Sequence, residues 1–146
     1  MSPLELEEAK KRIENMLERG FIRPSDSPYS VPILSVPKKH GSLWFGIDYH
    51  WLNKKTVKNR YPIPLSEELC DRLGSARVFS KIDLLSGYWQ MPIQLGDVHK
   101  TAFKRRWELY EFLFMPFGVT NGLAQFMNMM DDLLGGVLGQ IRLGFP

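Results

Sequence analysis

Four prolines in one short stretch, Pro24, Pro28, Pro32 and Pro37, constrain this chain more than any other feature. No helix runs through them, because each lacks a backbone N–H and its ring clashes with the preceding turn. The segment FIRPSDSPYSVPILSVPKK must therefore run extended, with a short strand at Ile33–Val36. What precedes it reads as a helix. Ser2 is placed as N-cap, Pro3 at the first helical position, and Glu5 completes a capping box. Leu6, Ala9, Ile13, Met16 and Leu17 recur on one face, and Gly20 ends the helix.

After the prolines, Lys38–Ser42 reads as a turn and Leu43–Tyr49 as the returning strand of a hairpin. Asn53–Pro64 is a basic, proline-bounded loop. Ser66 opens a short helix with Glu67 and Glu68 in its first turn and Gly74 at its end. Arg77–Leu84 has the pattern of a central strand, and Trp89–Gln94 that of another. Thr101–Phe103 and Leu109–Phe114 form a further pair joined through Lys104–Arg106. Asn121 opens a last helix that runs to about Leu134. The order helix, hairpin, helix, strands, helix predicts an α+β fold of antiparallel hairpins with flanking helices, not an alternating parallel one.

Length and composition then set limits. A chain of 146 residues builds one modest core. With 44% hydrophobic and 24% charged residues it is globular, not disordered. No stretch approaches twenty apolar residues, and the acidic start MSPLELEEAKKR does not read as a secretory leader, so an intracellular location is expected. A lone cysteine, Cys70, excludes an internal disulfide, and His40, His50 and His99 lack metal-ligand spacing. The net charge of +3 is unevenly spread. Lys38–Arg60 carries +5 and Lys100–Arg106 carries +4, leaving −6 on the rest. Such segments either face a polyanion or are solvated loops.

Asp83 ends the apolar run RVFSKIDL and precedes the small-residue turn LSGY. An acid there either caps the turn or holds a divalent cation at a sheet edge. Around it the strings IDYHWLNKKTVKNRYPIP, FSKIDLLSGYWQM, KTAF and YEFLFMPFGVTNGLAQF follow in order. Together they closely resemble the reverse transcriptase domain of gypsy-type LTR retrotransposons, from Met1 to about Leu138. The resemblance implies a partial right-hand polymerase fold. Residues 1–64 and 89–114 would be fingers-like, and 65–88 and 115–146 part of the palm. Asp83 would be the first of three metal-binding carboxylates, serving phosphoryl transfer with Mg2+. Leu84, Leu85, Ser86, Gly87 and Tyr88 would cradle the nucleotide, with Tyr88 under the sugar and Phe117 lining the pocket. Tyr88 and Phe117 would otherwise be ordinary buried aromatics. Lys38, Lys39, Lys54, Lys55, Lys58 and Arg60 would contact an RNA or DNA template-primer, and Asp48 and Asn53 match structural or template-side positions.

Departures from the family pattern gather at its contacts. Trp44 and His50 stand in place of arginines, and an indole supplies neither charge nor forked donors. Leu85, Trp89, Gly122-Leu123 and Met127 also differ. The remaining two family aspartates lie in a Y-x-D-D hairpin, and these residues end IRLGFP where it should begin. Asp131 and Asp132 in MMDDLL come 48 and 49 residues after Asp83, inside the expected last helix, where they point about 100° apart. They read as helix-surface acids. The expectation is a remnant of an RNA-directed DNA polymerase that is inactive alone, or a non-catalytic module that binds nucleic acid, a protein partner or itself through an uncovered palm face.

Overall fold

The computed structural model of the chain describes residues 3–37, 43–61, 71, 74, 77–81 and 83–135. Helix α1 (Pro3–Glu18) opens it. Its apolar stripe is the one the spacing predicts, with Ala9, Ile13 and Met16 buried. Gly20 closes it at φ 70, where a Cβ would be strained. The Gly20 N–H donates to the Leu17 carbonyl at 3.0 Å and the Phe21 N–H to that of Met16 at 2.9 Å. This bond pair is a Schellman motif, and it turns the chain into strand β1 (Ile22–Pro24).

The proline-rich segment is extended, as its composition requires. Strand β2 (Val31–Pro37) pairs antiparallel with β3 (Leu43–Ile47), from Ile33↔Ile47 to Pro37↔Leu43. Pro32 sits where only a carbonyl is needed, and it accepts the Asp48 N–H at 3.2 Å. Strands β4 (Phe103–Arg105) and β5 (Glu108–Phe112) form a second hairpin. The five strands make one sheet in the order β1-β5-β4-β2-β3. Both hairpins are antiparallel, as expected, and between them β2 runs parallel to β4 through Val31↔Phe103 and Pro32↔Lys104.

The core lies between α1 and the sheet. Ile13 and Met16 pack with Ile22, Val31, Tyr49, Phe103, Tyr110 and Phe112. Each large apolar side chain buried there contributes about 1.5–3 kcal/mol. Phe103 meets Phe112 at 5.1 Å and Tyr110 at 5.9 Å between ring centroids. The buried Tyr49 hydroxyl donates to the Thr101 carbonyl at 3.0 Å. The Thr101 hydroxyl donates to the Val98 carbonyl at 2.7 Å and accepts the Phe112 N–H at 2.9 Å. Burial disfavours the tyrosinate and pushes the Tyr49 pKa up.

Several expected elements differ. Residues 77–81 and 83–84 are irregular, not a strand, and Val78 and Phe79 stand in solvent. The reason is that a strand exists through its ladder, and no described strand pairs with this segment. Trp89–Gln94 is also not a strand. Gly87–Gln90 is a 3-10 turn, followed by a single bridge, Pro92↔Phe114. The bridge rests on two bonds, from the Met115 N–H to the Met91 carbonyl at 2.8 Å and from the Ile93 N–H to the Leu113 carbonyl at 2.9 Å. Thr101 belongs to a 3-10 turn, Val98–Thr101, and Lys104 and Arg105 belong to β4 and not to its connection. Asn53 does not begin a loop. It lies in helix α2 (His50–Lys55), where its N–H bonds the Tyr49 carbonyl at 2.8 Å. Helix α3 (Gly122–Gly135) follows Asn121 as expected. The Ser2 cap, the Lys38–Ser42 turn and nearly all of the expected Ser66–Gly74 helix lie outside the described residues.

Candidate nucleotide and nucleic-acid site

Asp83 stands exposed in irregular chain, two residues before the LSGY turn. Ser86 takes a left-handed conformation (φ 52, ψ 49), and its carbonyl accepts the Trp89 N–H at 2.9 Å. The Gln90 side-chain amide donates to the Leu85 carbonyl at 2.9 Å, closing the turn from outside. Leu84 is half-buried and Leu85 is exposed. Gly87 lies close against α3: an added Cβ would lie 3.0 and 3.1 Å from two ring carbons of Phe126, so that ring would have to give by a few tenths of an ångström. Helix α3 thus presses on the turn through an aromatic ring.

Tyr88 and Phe117, far apart in sequence, come together here. Their ring centroids are 5.1 Å apart, and Tyr88 also meets Phe126 edge-on at 5.2 Å. Phe117 is 54% exposed, so it is not a core aromatic. Phe126 and Trp89, which stands 6.4 Å from Phe117, complete the cluster. Sequence reasoning gave neither a place in it. For Phe126 the signal was available: Met127 and Met130 mark the buried face of α3, and Phe126 adjoins it.

Two asparagines fasten the basic segment to the MPFG loop. The Asn53 amide donates to the Gly118 carbonyl at 2.7 Å, and its oxygen accepts the Thr120 N–H at 2.8 Å. The Asn121 amide donates to the Val57 carbonyl at 2.8 Å, and its oxygen accepts the Asn59 N–H at 2.9 Å. Asn121 was expected only to open a helix. Between these anchors Lys54, Lys55, Lys58 and Arg60 are exposed. Lys38 and Lys39 lie outside the described residues. Asp48 holds the start of α2 in place. Its carboxylate accepts the His50 N–H at 3.0 Å and meets the His50 ring at 2.6 Å. The backbone bond first, then the ring, hold its pKa below the usual range.

Asp131 and Asp132 both lie in α3. Asp131 accepts a hydrogen bond from the Tyr61 hydroxyl, and Asp132 is exposed. Among the described residues no three of the His, Cys, Asp and Glu side chains gather, so Asp83 is not part of a carboxylate cluster. The donor set described does not fit a pair of magnesium ions, and no step of a reaction is assigned to them.

The cavities lie beside this turn rather than in it. One of about 690 Å³ lies between α2 and the chain around Met91–Thr101, and it touches none of Asp83–Tyr88. A second, of about 400 Å³, is lined by Phe117 and Trp89 together with Arg12 of α1 and Arg19 just after it. Phe117 is the one expected pocket residue that lines either.

Comparison with known proteins gives the family. The family described as reverse transcriptase (RNA-dependent DNA polymerase) matches residues 36–144. The retrovirus-related Pol polyprotein from transposon opus of Drosophila melanogaster is 40% identical over 139 residues, which is 92% of this chain and 14% of that protein. An RNA-directed DNA polymerase homolog of Oenothera berteroana is 52% identical over 93 residues, 64% of this chain and 66% of its own length. The chain thus spans a small part of the polyproteins it matches and just under two thirds of the plant homolog. Among solved structures, the foamy viral protease-reverse transcriptase in complex with RNA/DNA hybrid superposes with a TM-score of 0.77 at 25% identity, covering 95% of this chain and 19% of that one. The same enzyme in complex with dsDNA gives 0.73 at 27% identity, over 90% and 28%. Among the described residues no helix is long and apolar enough to cross a membrane. With its family match covering well over half of its residues, and its aromatic turn and basic segment held together as described, the chain belongs to the reverse transcriptase family.

Proposed function

We infer that this chain forms the fingers and the start of the palm of a retrotransposon reverse transcriptase, and that its own residues hold nucleotide and template-primer without completing the reaction. Residues 1–64 and 89–114 are the fingers-like part, and 65–88 and 115–146 belong to the palm. That the five described strands, drawn from both of the first two ranges, share one sheet supports grouping those ranges together. The observation that carries the reading is the meeting of Tyr88 and Phe117 beside the Asp83 turn. In it, the Leu84–Tyr88 backbone receives the nucleotide phosphates, Tyr88 packs under the sugar, and exposed Phe117 covers the base. Lys54, Lys55, Lys58 and Arg60 attract the phosphates of an RNA/DNA hybrid, aided by Lys38 and Lys39. Magnesium is the family's ion. Among the described residues Asp83 is the one that would contribute to holding it, and one carboxylate does not hold two ions.

Two measurements test this. Primer extension with the purified 146-residue polypeptide and magnesium is expected to give no incorporation. Template-dependent synthesis that is lost in Asp83→Asn would overturn the incomplete-catalyst reading. Binding of a fluorescent deoxynucleoside triphosphate is expected to weaken in Tyr88→Ala and Phe117→Ala, and equal affinity in both variants would remove the pocket assignment.

A second reading draws on the exposure of Val78, Phe79 and Leu85, at 88%, 61% and 84%. Apolar side chains so placed invite a protein partner or a second copy. Sedimentation over a concentration series checks the latter, with self-association lost in Phe79→Ser.

A further inference from the structure

Three aromatic rings that the nucleotide site does not use form a row beside the larger cavity. Trp51 projects from α2, Tyr29 from the chain between β1 and β2, and His99 from the 3-10 turn before β4. The Trp51–Tyr29 centroids are 6.2 Å apart and the Tyr29–His99 centroids 5.5 Å, both pairs inclined at 38°. Trp51 is 55% exposed and Tyr29 36% exposed, and His99 is half-buried, so two of the three rings are open to solvent. Its geometry is held from below. The Ser27 hydroxyl donates to the His99 carbonyl at 2.5 Å and accepts the Tyr29 N–H at 3.1 Å, which couples two of the three elements.

Cations stand beside these rings. Lys55 follows Trp51 by one helical turn on the same face of α2, and both line the 690 Å³ cavity together with Tyr29 and Lys100. Lys100 is held by Asp97 at 2.5 Å. Lys55 makes no ion pair among the described residues and is open to a ligand's negative charge. Exposed rings in series, with such an ammonium one turn away, suit bases that stack while their phosphates meet the cation. An apolar peptide would leave that ammonium and the neighbouring Lys54 without a counter-charge.

We propose that the Trp51–Tyr29–His99 row is a stacking platform for single-stranded nucleic acid, separate from the Tyr88–Phe117 site. The proposal rests on the nucleic-acid-binding reading above and adds to it a place and a strand form.

The test uses the full chain and two probes at low salt: a fluorescein-labelled oligouridylate of about twelve nucleotides and a blunt RNA/DNA hybrid. Trp51→Ala and Tyr29→Ala are expected to weaken oligouridylate binding at least about fivefold each, while Trp51→Phe, which keeps a stacking ring, stays within about twofold of wild type. Hybrid affinity is expected to be unchanged in all three. Oligouridylate affinity unchanged by the alanine variants overturns the platform and leaves the hybrid reading standing. A phenylalanine variant as weak as the alanine one, or equal weakening on both probes, also overturns it. Failure of the wild-type chain to bind either probe removes both readings.

Discussion

At the scale of single residues, the most informative side chain outside the site is Glu111. It is buried on β5, opposite Arg23 in register. Arg23 donates to one carboxylate oxygen at 2.7 Å and Ser25 to the other at 2.6 Å. Burial opposes its ionisation, and the Ser25 and Arg23 bonds outweigh that, so its pKa lies below the usual 4.5. A folded-state value below the unfolded one contributes stability that is full above about pH 4.5 and is lost as pH falls through the folded value. Thermal melts from neutral to acid pH should therefore show a steep loss below that point in the wild type and a flatter profile in Glu111→Gln. At neutral pH the variant should already be weaker by about 1–3 kcal/mol, because charge-assisted bonds are gone from a buried site. Identical profiles would mean that Glu111 is not ionised in the folded chain. Gly87 gives a second expectation. Gly87→Ala drives a Cβ against the Phe126 ring, costing about 1–3 kcal/mol by overpacking and displacing Tyr88. Unaltered melting and nucleotide binding in this variant would show that the turn and α3 are not pressed together.

At the scale of elements, local signals were legible and long-range ones were not. The α1 stripe, its Gly20 ending and the β2–β3 hairpin follow from spacing and turn chemistry within a few residues. The parallel contact of β2 with β4 brings Val31 beside Phe103, and no local pattern encodes it. RVFSKIDL reads as a strand because its composition suits one, yet composition does not supply a neighbour to pair with. Helix α2 was hidden in a basic segment that has no apolar period. In the site, Tyr88 and Phe117 were legible through family resemblance. The fastening amides of Asn53 and Asn121 were not, since their partners are backbone groups more than sixty residues away. Asn53→Ala removes both bonds to the Gly118–Thr120 loop and should cost about 1–2 kcal/mol. Faster hydrogen exchange at the Thr120 amide is the specific readout, and unchanged protection there would refute the fastening role.

At the scale of the whole molecule, support and chemistry are divided between different parts of the chain. One sheet with α1 packed on it makes the support, and the candidate site residues lie on the turn after Asp83, in α2 and on the chain that follows it. Aromatic rings gather beside Asp83, and cations gather on the segment between the two asparagine anchors. The carboxylates described do not complete a metal pair, and under the proposed reading the basic segment is where a polyanion would be held. The most direct test is anisotropy titration of a labelled RNA/DNA hybrid across a range of salt, comparing the wild type with a variant carrying K54A, K55A, K58A and R60A. Binding should weaken steeply with salt, and the log–log slope should become shallower in the variant by as much as roughly 3–4, near one per phosphate contact removed. Absence of binding at low salt, or a slope unchanged by removing all four cations, would contradict a template-primer role for this segment.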